Sequence, residues 1–202
     1  MLKTKIAVFV SGGGTNLQAL IDAQKNGVIK SGEIVLVISN NSKAYALERA
    51  KNNGIKTSVV LRSSCKGQED FENKIKKILK DNKIELIVLA GFMSILSENF
   101  VKDYDKRIIN VHPSLIPSFC GKGFYGLHVH EAALEYGVKV TGATVHYVNE
   151  VPDGGEIILQ KAVKVSKNDT PETLQRKVME KAEWKILPQA AEIVAKRLKS
   201  NK

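Results

Sequence analysis

The chain reads as an α/β domain: a mainly parallel sheet flanked by helices, with antiparallel strands late in the sequence. Three observations point there. Short apolar segments alternate with amphipathic helical patterns through the first hundred residues, which implies βαβ units. Some of those segments are apolar throughout, as strands buried on both faces are. Late in the chain, Val151-Pro152-Asp153-Gly154-Gly155 is a turn signal between two strand-like runs, which favours antiparallel pairing.

Taken in order, residues 5–10 form the first strand, followed by the Gly-rich turn Ser11-Gly12-Gly13-Gly14-Thr15-Asn16. A helix then presents Leu17, Leu20 and Ile21 on one face and stops at Gly27. Residues 33–39 are a second strand. Ser42 is expected to cap a helix running to about Asn53, and 56–61 form a short third strand. Phe71, Ile75, Ile78 and Leu79 fall at i, i+4, i+7 and i+8, so 68–81 is expected to be an amphipathic helix. Residues 86–90 and 108–112 are the next strands. An irregular loop at 117–126 leads to a helix near 127–136, closed by Gly137. Strands follow at 139–148 and 156–165. Thr170 caps a helix with Pro171 at its first position, and Pro188 breaks or kinks the terminal helical region.

Composition narrows the class. No apolar run reaches the roughly 18 residues of a membrane helix. The first residues enter a strand with no leader-like apolar segment, so a cytoplasmic setting is expected. Cys65 and Cys120 have no metal-ligand spacing and are expected to be free thiols. The net charge of +10 raises the question of a nucleic-acid partner. However, the lysines are dispersed and arginine is sparse, which fits a solvated surface that attracts small anions.

The candidate chemistry lies at Asn110 and His112. Alternation puts them on one face of a strand. Pro113 stops that strand, so both sit at its carboxyl end, where open α/β sheets bind ligands. Taken alone, the pair is equally a buried polar pair satisfied by hydrogen bonds. The Gly-rich turn lacks the third small residue and the later acid of a dinucleotide fingerprint, and it lacks the Walker lysine. It suits a single phosphate, with Thr15 and Asn16 as extra donors, or is simply a tight strand–helix turn. Asp153 is an ordinary turn residue or a carboxylate that reaches His112. His128, His130 and His146 match no zinc pattern.

Four segments occur in order: Ser-Gly-Gly-Gly-Thr-Asn-Leu-Gln at 11–18, Leu-Ala-Gly-Phe-Met-Ser-Ile-Leu at 89–96, Asn-Val-His-Pro-Ser-Leu-Ile-Pro at 110–117, and Asp-Gly-Gly-Glu-Ile-Ile-Leu-Gln at 153–160. Together they resemble the folate-dependent phosphoribosylglycinamide formyltransferases over nearly the whole chain. The resemblance implies a Rossmann-like formyltransferase fold with a seven-stranded, mostly parallel sheet. It implies one domain over 1–202, with a phosphate-binding nucleotide half at 1–100 and a catalytic and folate-binding half at 101–202. Asn110, His112 and Asp153 match the catalytic trio, and Gly14, Thr15 and Asn16 match the phosphate loop. Glu183 matches a residue contacting the ribonucleotide. Met93, Ser94, Ile95 and Leu96 match one wall of the folate pocket, with Asn110. Val148, Asn149, Glu150, Val151 and Asp153 match the other wall. Gln68 stands at a folate-contacting position where the family often has a basic residue. The implied reaction takes a formyl group from 10-formyltetrahydrofolate, as co-substrate and without a metal, to the amine of glycinamide ribonucleotide. Asp153 is expected to keep His112 charged. The implied unit is a monomer or weak homodimer, with small-molecule partners only. The alternatives are a formyltetrahydrofolate deformylase, or a basic nucleotide- or RNA-binding module. A methionyl-tRNA formyltransferase would carry a further domain after this one, and the deformylase one before it.

Overall fold

The computed structural model describes residues 3–200. The outermost residues of the expected domain and of the expected leaderless start lie outside that range. Seven strands form one sheet: β1 (Thr4–Val10), β2 (Gly32–Ser39), β3 (Lys56–Val59), β4 (Leu86–Leu89), β5 (Ile108–His112), β6 (Val140–Tyr147) and β7 (Ile157–Lys164). Their order is β3-β2-β1-β4-β5-β6-β7. The first five are parallel, and β6 runs antiparallel to both β5 and β7. The helices are α1 (Thr15–Lys25), α2 (Tyr45–Asn52), α3 (Gln68–Asp81), α4 (Glu98–Asp103), α5 (His128–Tyr136), α6 (Pro171–Val178) and α7 (Trp184–Ser200). Among the described residues, no helix is long and apolar enough to cross a membrane.

Strand β1 shows why its sequence is apolar without a break. Ile6, Val8 and Val10 enter one core with α1, α2 and α7, whereas Ala7 and Phe9 enter a second core with α3 and α4. Each side chain is fully buried, as a period of two on a two-faced strand requires. The chain winds outward from β1 to β3, then crosses back to β4 on the other side of β1. The carboxyl ends of β1 and β4 thus flank the point where strand order reverses, which opens a crevice.

Local signals were followed closely at some helix ends and not at others. Thr170 caps α6 in a capping box with Thr173, and Pro171 opens the helix, as expected. Ser42 does not cap α2; that expectation is corrected. Asn41 turns the chain by accepting from the Lys43 amide at 2.9 Å, and α2 starts at Tyr45 without a side-chain cap. The Ala46 amide, an orphan donor at that helix end, donates instead to the Gly12 carbonyl at 3.1 Å. Pro188 lies inside α7 and does not end it. A π-turn at Met179–Glu183 joins α6 to α7 and breaks the α repeat just before that proline.

Candidate active site

The carboxyl ends of β1, β4 and β5 surround a cavity of about 300 Å³. Asn110 and His112 project into it from one face of β5, as alternation predicts. The loop 148–156 between β6 and β7 folds Asp153 back to the same place. His112 Nδ1 lies 3.3 Å from Asp153 Oδ2, and His112 is 4% exposed. Its Nε2 lies 2.8 Å from the Phe119 carbonyl oxygen. The Gly121 amide donates to Asp153 Oδ2 at 2.9 Å. Backbone groups of the 117–126 loop therefore hold both side chains.

The expectation that Asp153 keeps His112 charged is corrected. Burial dominates and takes the His112 pKa below its ordinary value; the Asp153 carboxylate and the Phe119 carbonyl oppose it without overcoming it. Both ring nitrogens nonetheless face acceptors, so the geometry accepts a second ring proton when negative charge develops nearby. Burial also pushes the Asp153 carboxyl up, but His146, the Gly121 amide and His112 together bring it below the usual range.

His146 is a member of this cluster that sequence reasoning missed. Antiparallel pairing sets it opposite Asn110, and Thr144 opposite His112. His146 Nδ1 is 2.8 Å from the Tyr147 carbonyl oxygen, and its Nε2 is 3.5 Å from Asp153 Oδ1. Asn110 Nδ2 lies 3.3 Å from that same Nε2. A β-bulge in β7 sits beside His146, where it re-aims the strand. Thr144 donates to the Ser114 carbonyl at 2.7 Å and accepts from the Ile116 amide at 3.1 Å, anchoring the turn after β5. The available signal was polar residues in each of two facing strands, Asn110 and His112 in one and Thr144 and His146 in the other, and only their register joins them.

At the other end of the cavity are Thr15 and Asn16. Gly14 caps α1 at φ +73° and does not itself line the cavity. A Cβ there would lie 2.6 Å from the Ala46 Cβ, so the loop's contact with α2 requires glycine. Arg49 Nε donates to the Gly13 carbonyl at 2.8 Å. Asn16 Nδ2 donates to Glu183 Oε2 at 2.6 Å, which joins the Gly-rich turn to the π-turn. Burial pushes the Glu183 carboxyl up to about 7, partly offset by that hydrogen bond.

A second cavity opens on the far side of Asn110 and Asp153. Its walls include Ser94, Ile95 and Leu96 on one side and Val148 to Val151 on the other. Both expected walls are thus brought together. Met93 is exposed and lines the first cavity. Its amide donates to Ser11 Oγ at 2.8 Å. Gln68 lies behind the wall, where its Nε2 donates to the Ile95 carbonyl at 3.0 Å. Among the described residues, no group of three or more His, Cys, Asp or Glu has the spacing to hold a metal ion.

A polar trio thus stands at the carboxyl edge of a doubly wound sheet, between an anion-suited turn and a second pocket, where open α/β sheets bind ligands. The chain belongs to the formyl transferase family, whose model matches residues 4–191. It is 41% identical over 184 residues to the phosphoribosylglycinamide formyltransferase of Haemophilus influenzae, covering 91% of this chain and 84% of that one. It is 45% identical over 193 residues to the trifunctional purine biosynthetic protein adenosine-3 of Gallus gallus, covering 96% of this chain and 18% of that one. It thus spans less than a fifth of the length of that vertebrate relative. The glycinamide ribonucleotide transformylase 1 structure from Symbiobacterium toebii superposes with a TM-score of 0.90 at 37% identity, covering 96% of this chain and 89% of that one.

Proposed function

We propose that the chain transfers the formyl group of 10-formyltetrahydrofolate to the amine of glycinamide ribonucleotide, a step of purine synthesis. The observation that carries this reading is that two cavities meet at Asn110 and Asp153. One runs toward Thr15 and Asn16, where helix α1 starts and attracts a phosphate. The other is walled by 94–96 and 148–151 and suits the flat ring of a folate. The working unit in this reading is a monomer or a weak homodimer. The setting is cytoplasmic, with no nucleic-acid or membrane partner.

The neutral amine attacks the formyl carbon, a carbon–nitrogen bond forms, and the formyl oxygen becomes an oxyanion. Asn110 Nδ2 supplies a donor at that oxygen, and the His112 ring, held between Asp153 and the Phe119 carbonyl, stabilises the negative charge from beside it. Such a donor is worth about 3 kcal/mol in a water-poor site. A proton on His112 is disfavoured at rest and favoured once the oxyanion forms. Its contribution is therefore weighted to the transition state. The attacking nitrogen then loses a proton, the bond to the folate N10 breaks, and N10 gains a proton. Asp153 relays that proton, directly or through one water.

The test is tetrahydrofolate release from 10-formyltetrahydrofolate with glycinamide ribonucleotide present and omitted. Turnover is expected only when the ribonucleotide is present. Release without it points to the hydrolytic deformylase reaction, and release in neither case overturns the enzyme reading.

A further inference from the structure

His130 is a buried polar group that the chemistry above does not use. It stands in the first turn of α5 and is fully buried. Both of its ring nitrogens lack a hydrogen-bond partner. Buried polar atoms are ordinarily paired, and an unpaired one costs stability. The ring lines the same cavity as Asn110, His112 and Asp153. Asn16 Oδ1, in the same cavity at its phosphate-loop end, is also buried without a partner. Unsatisfied polar atoms thus occur at both ends of one cavity, which is the arrangement expected where a polar ligand completes the hydrogen bonding.

We propose that His130 contacts substrate and binds the neutral amide in the glycinamide arm of the ribonucleotide, an inference that rests on the function proposed above. With its phosphate at Thr15 and Asn16, the ligand must deliver its amine to the formyl carbon beside Asn110 and His112. The amide carbonyl is separated from that amine by a single methylene, so it falls in the same part of the cavity. An amide offers one acceptor and one donor. A neutral imidazole meets one of these with one nitrogen, as donor to the carbonyl or acceptor from the N–H, because its two nitrogens point apart. Burial and the neighbouring His112 take the His130 pKa down to about 4, so the ring meets its ligand uncharged at neutral pH. An uncharged ring here also avoids a second cation beside His112 as that residue gains its proton.

The experiment pairs ¹⁵N NMR of the histidine rings with kinetics of His130→Leu and His130→Gln. In the wild-type protein without folate, adding glycinamide ribonucleotide should shift the His130 ring resonances, assigned by their loss in His130→Gln. His130→Leu should raise the ribonucleotide KM at least tenfold and leave the folate Kd within twofold. His130→Gln, which keeps a donor and an acceptor, should recover most of the loss. If the ribonucleotide binds by calorimetry and the ring resonances stay in place, the ring serves a resident water and the inference is overturned, while the proposed function stands. If the ribonucleotide does not bind at all, both fall. If His130→Leu fails to fold, the wild-type resonances decide.

Discussion

Asp153 is held at φ +55°, in the left-handed region that Asp and Asn tolerate better than other side chains. Asp153→Asn therefore keeps the backbone and the volume while removing the acceptor charge. It should lower kcat by about 10²–10⁴-fold, the range of a lost acid–base group, and leave the folate Kd within a few-fold. Stopped assays and equilibrium binding check both halves; a kcat near wild type overturns the assigned role. At this scale the sequence was partly legible. Asn110 and His112 are two apart on a strand ended by Pro113, so their shared face and position could be read directly. Asp153 could not be distinguished from a turn residue, because its approach to His112 depends on how a nine-residue loop folds. The Phe119 carbonyl and Gly121 amide were invisible, since any residue type supplies those groups.

Among the elements, the Gly-rich turn depends on its fit against α2. Gly14→Ala places a Cβ at φ +73°, 2.6 Å from the Ala46 Cβ and 2.8 Å from its Cα. Left-handed backbone alone costs roughly 1–2 kcal/mol, and displacing α2 adds to it. At about 2–4 °C per kcal/mol for a domain of this size, the melting temperature should fall by several degrees. The ribonucleotide KM should rise in parallel, because Thr15 and Asn16 move with the turn; calorimetry and steady-state kinetics check the pair. An unchanged melting temperature would contradict the tight packing. Helix α3 matched its expected span because its apolar stripe is long and regular. Helix α4, only six residues long, offered no periodicity to read, although Ser97 does cap it. The π-turn was likewise hidden: it is a backbone irregularity between two ordinary helical patterns, yet it carries Glu183.

For the molecule as a whole, two buried titratable groups bias stability in opposite directions. Glu183 has a folded pKa of about 7 against an ordinary value of 4.5. Its neutral form is favoured in the fold, so its contribution is complete below about 4.5 and is lost as pH rises toward 7. His130 is depressed from 6.5 to about 4. Its contribution is complete above about 6.5 and is lost as pH falls toward 4. Glu183→Gln removes only the first effect. Relative to wild type, it should gain stability steadily from pH 4.5 to 7, by roughly 3 kcal/mol overall. Urea unfolding across that range checks the sign, and a constant difference would overturn it. The seven strands and the antiparallel pairing of the last two were legible, because β1 and β4 are apolar on both faces and the late strands flank a turn signal; their order in the sheet was not. Nor was the pairing of β6 with β5, since no local feature records which edge a hairpin joins. That pairing creates the junction at which Asn110 and Asp153 serve both cavities. Occupying one cavity fixes a boundary of the other, and linkage makes the effect mutual: any factor by which bound folate changes ribonucleotide affinity, bound ribonucleotide returns to folate. The two affinities are therefore a coupled pair, and only residues belonging to a single cavity can tune one of them alone.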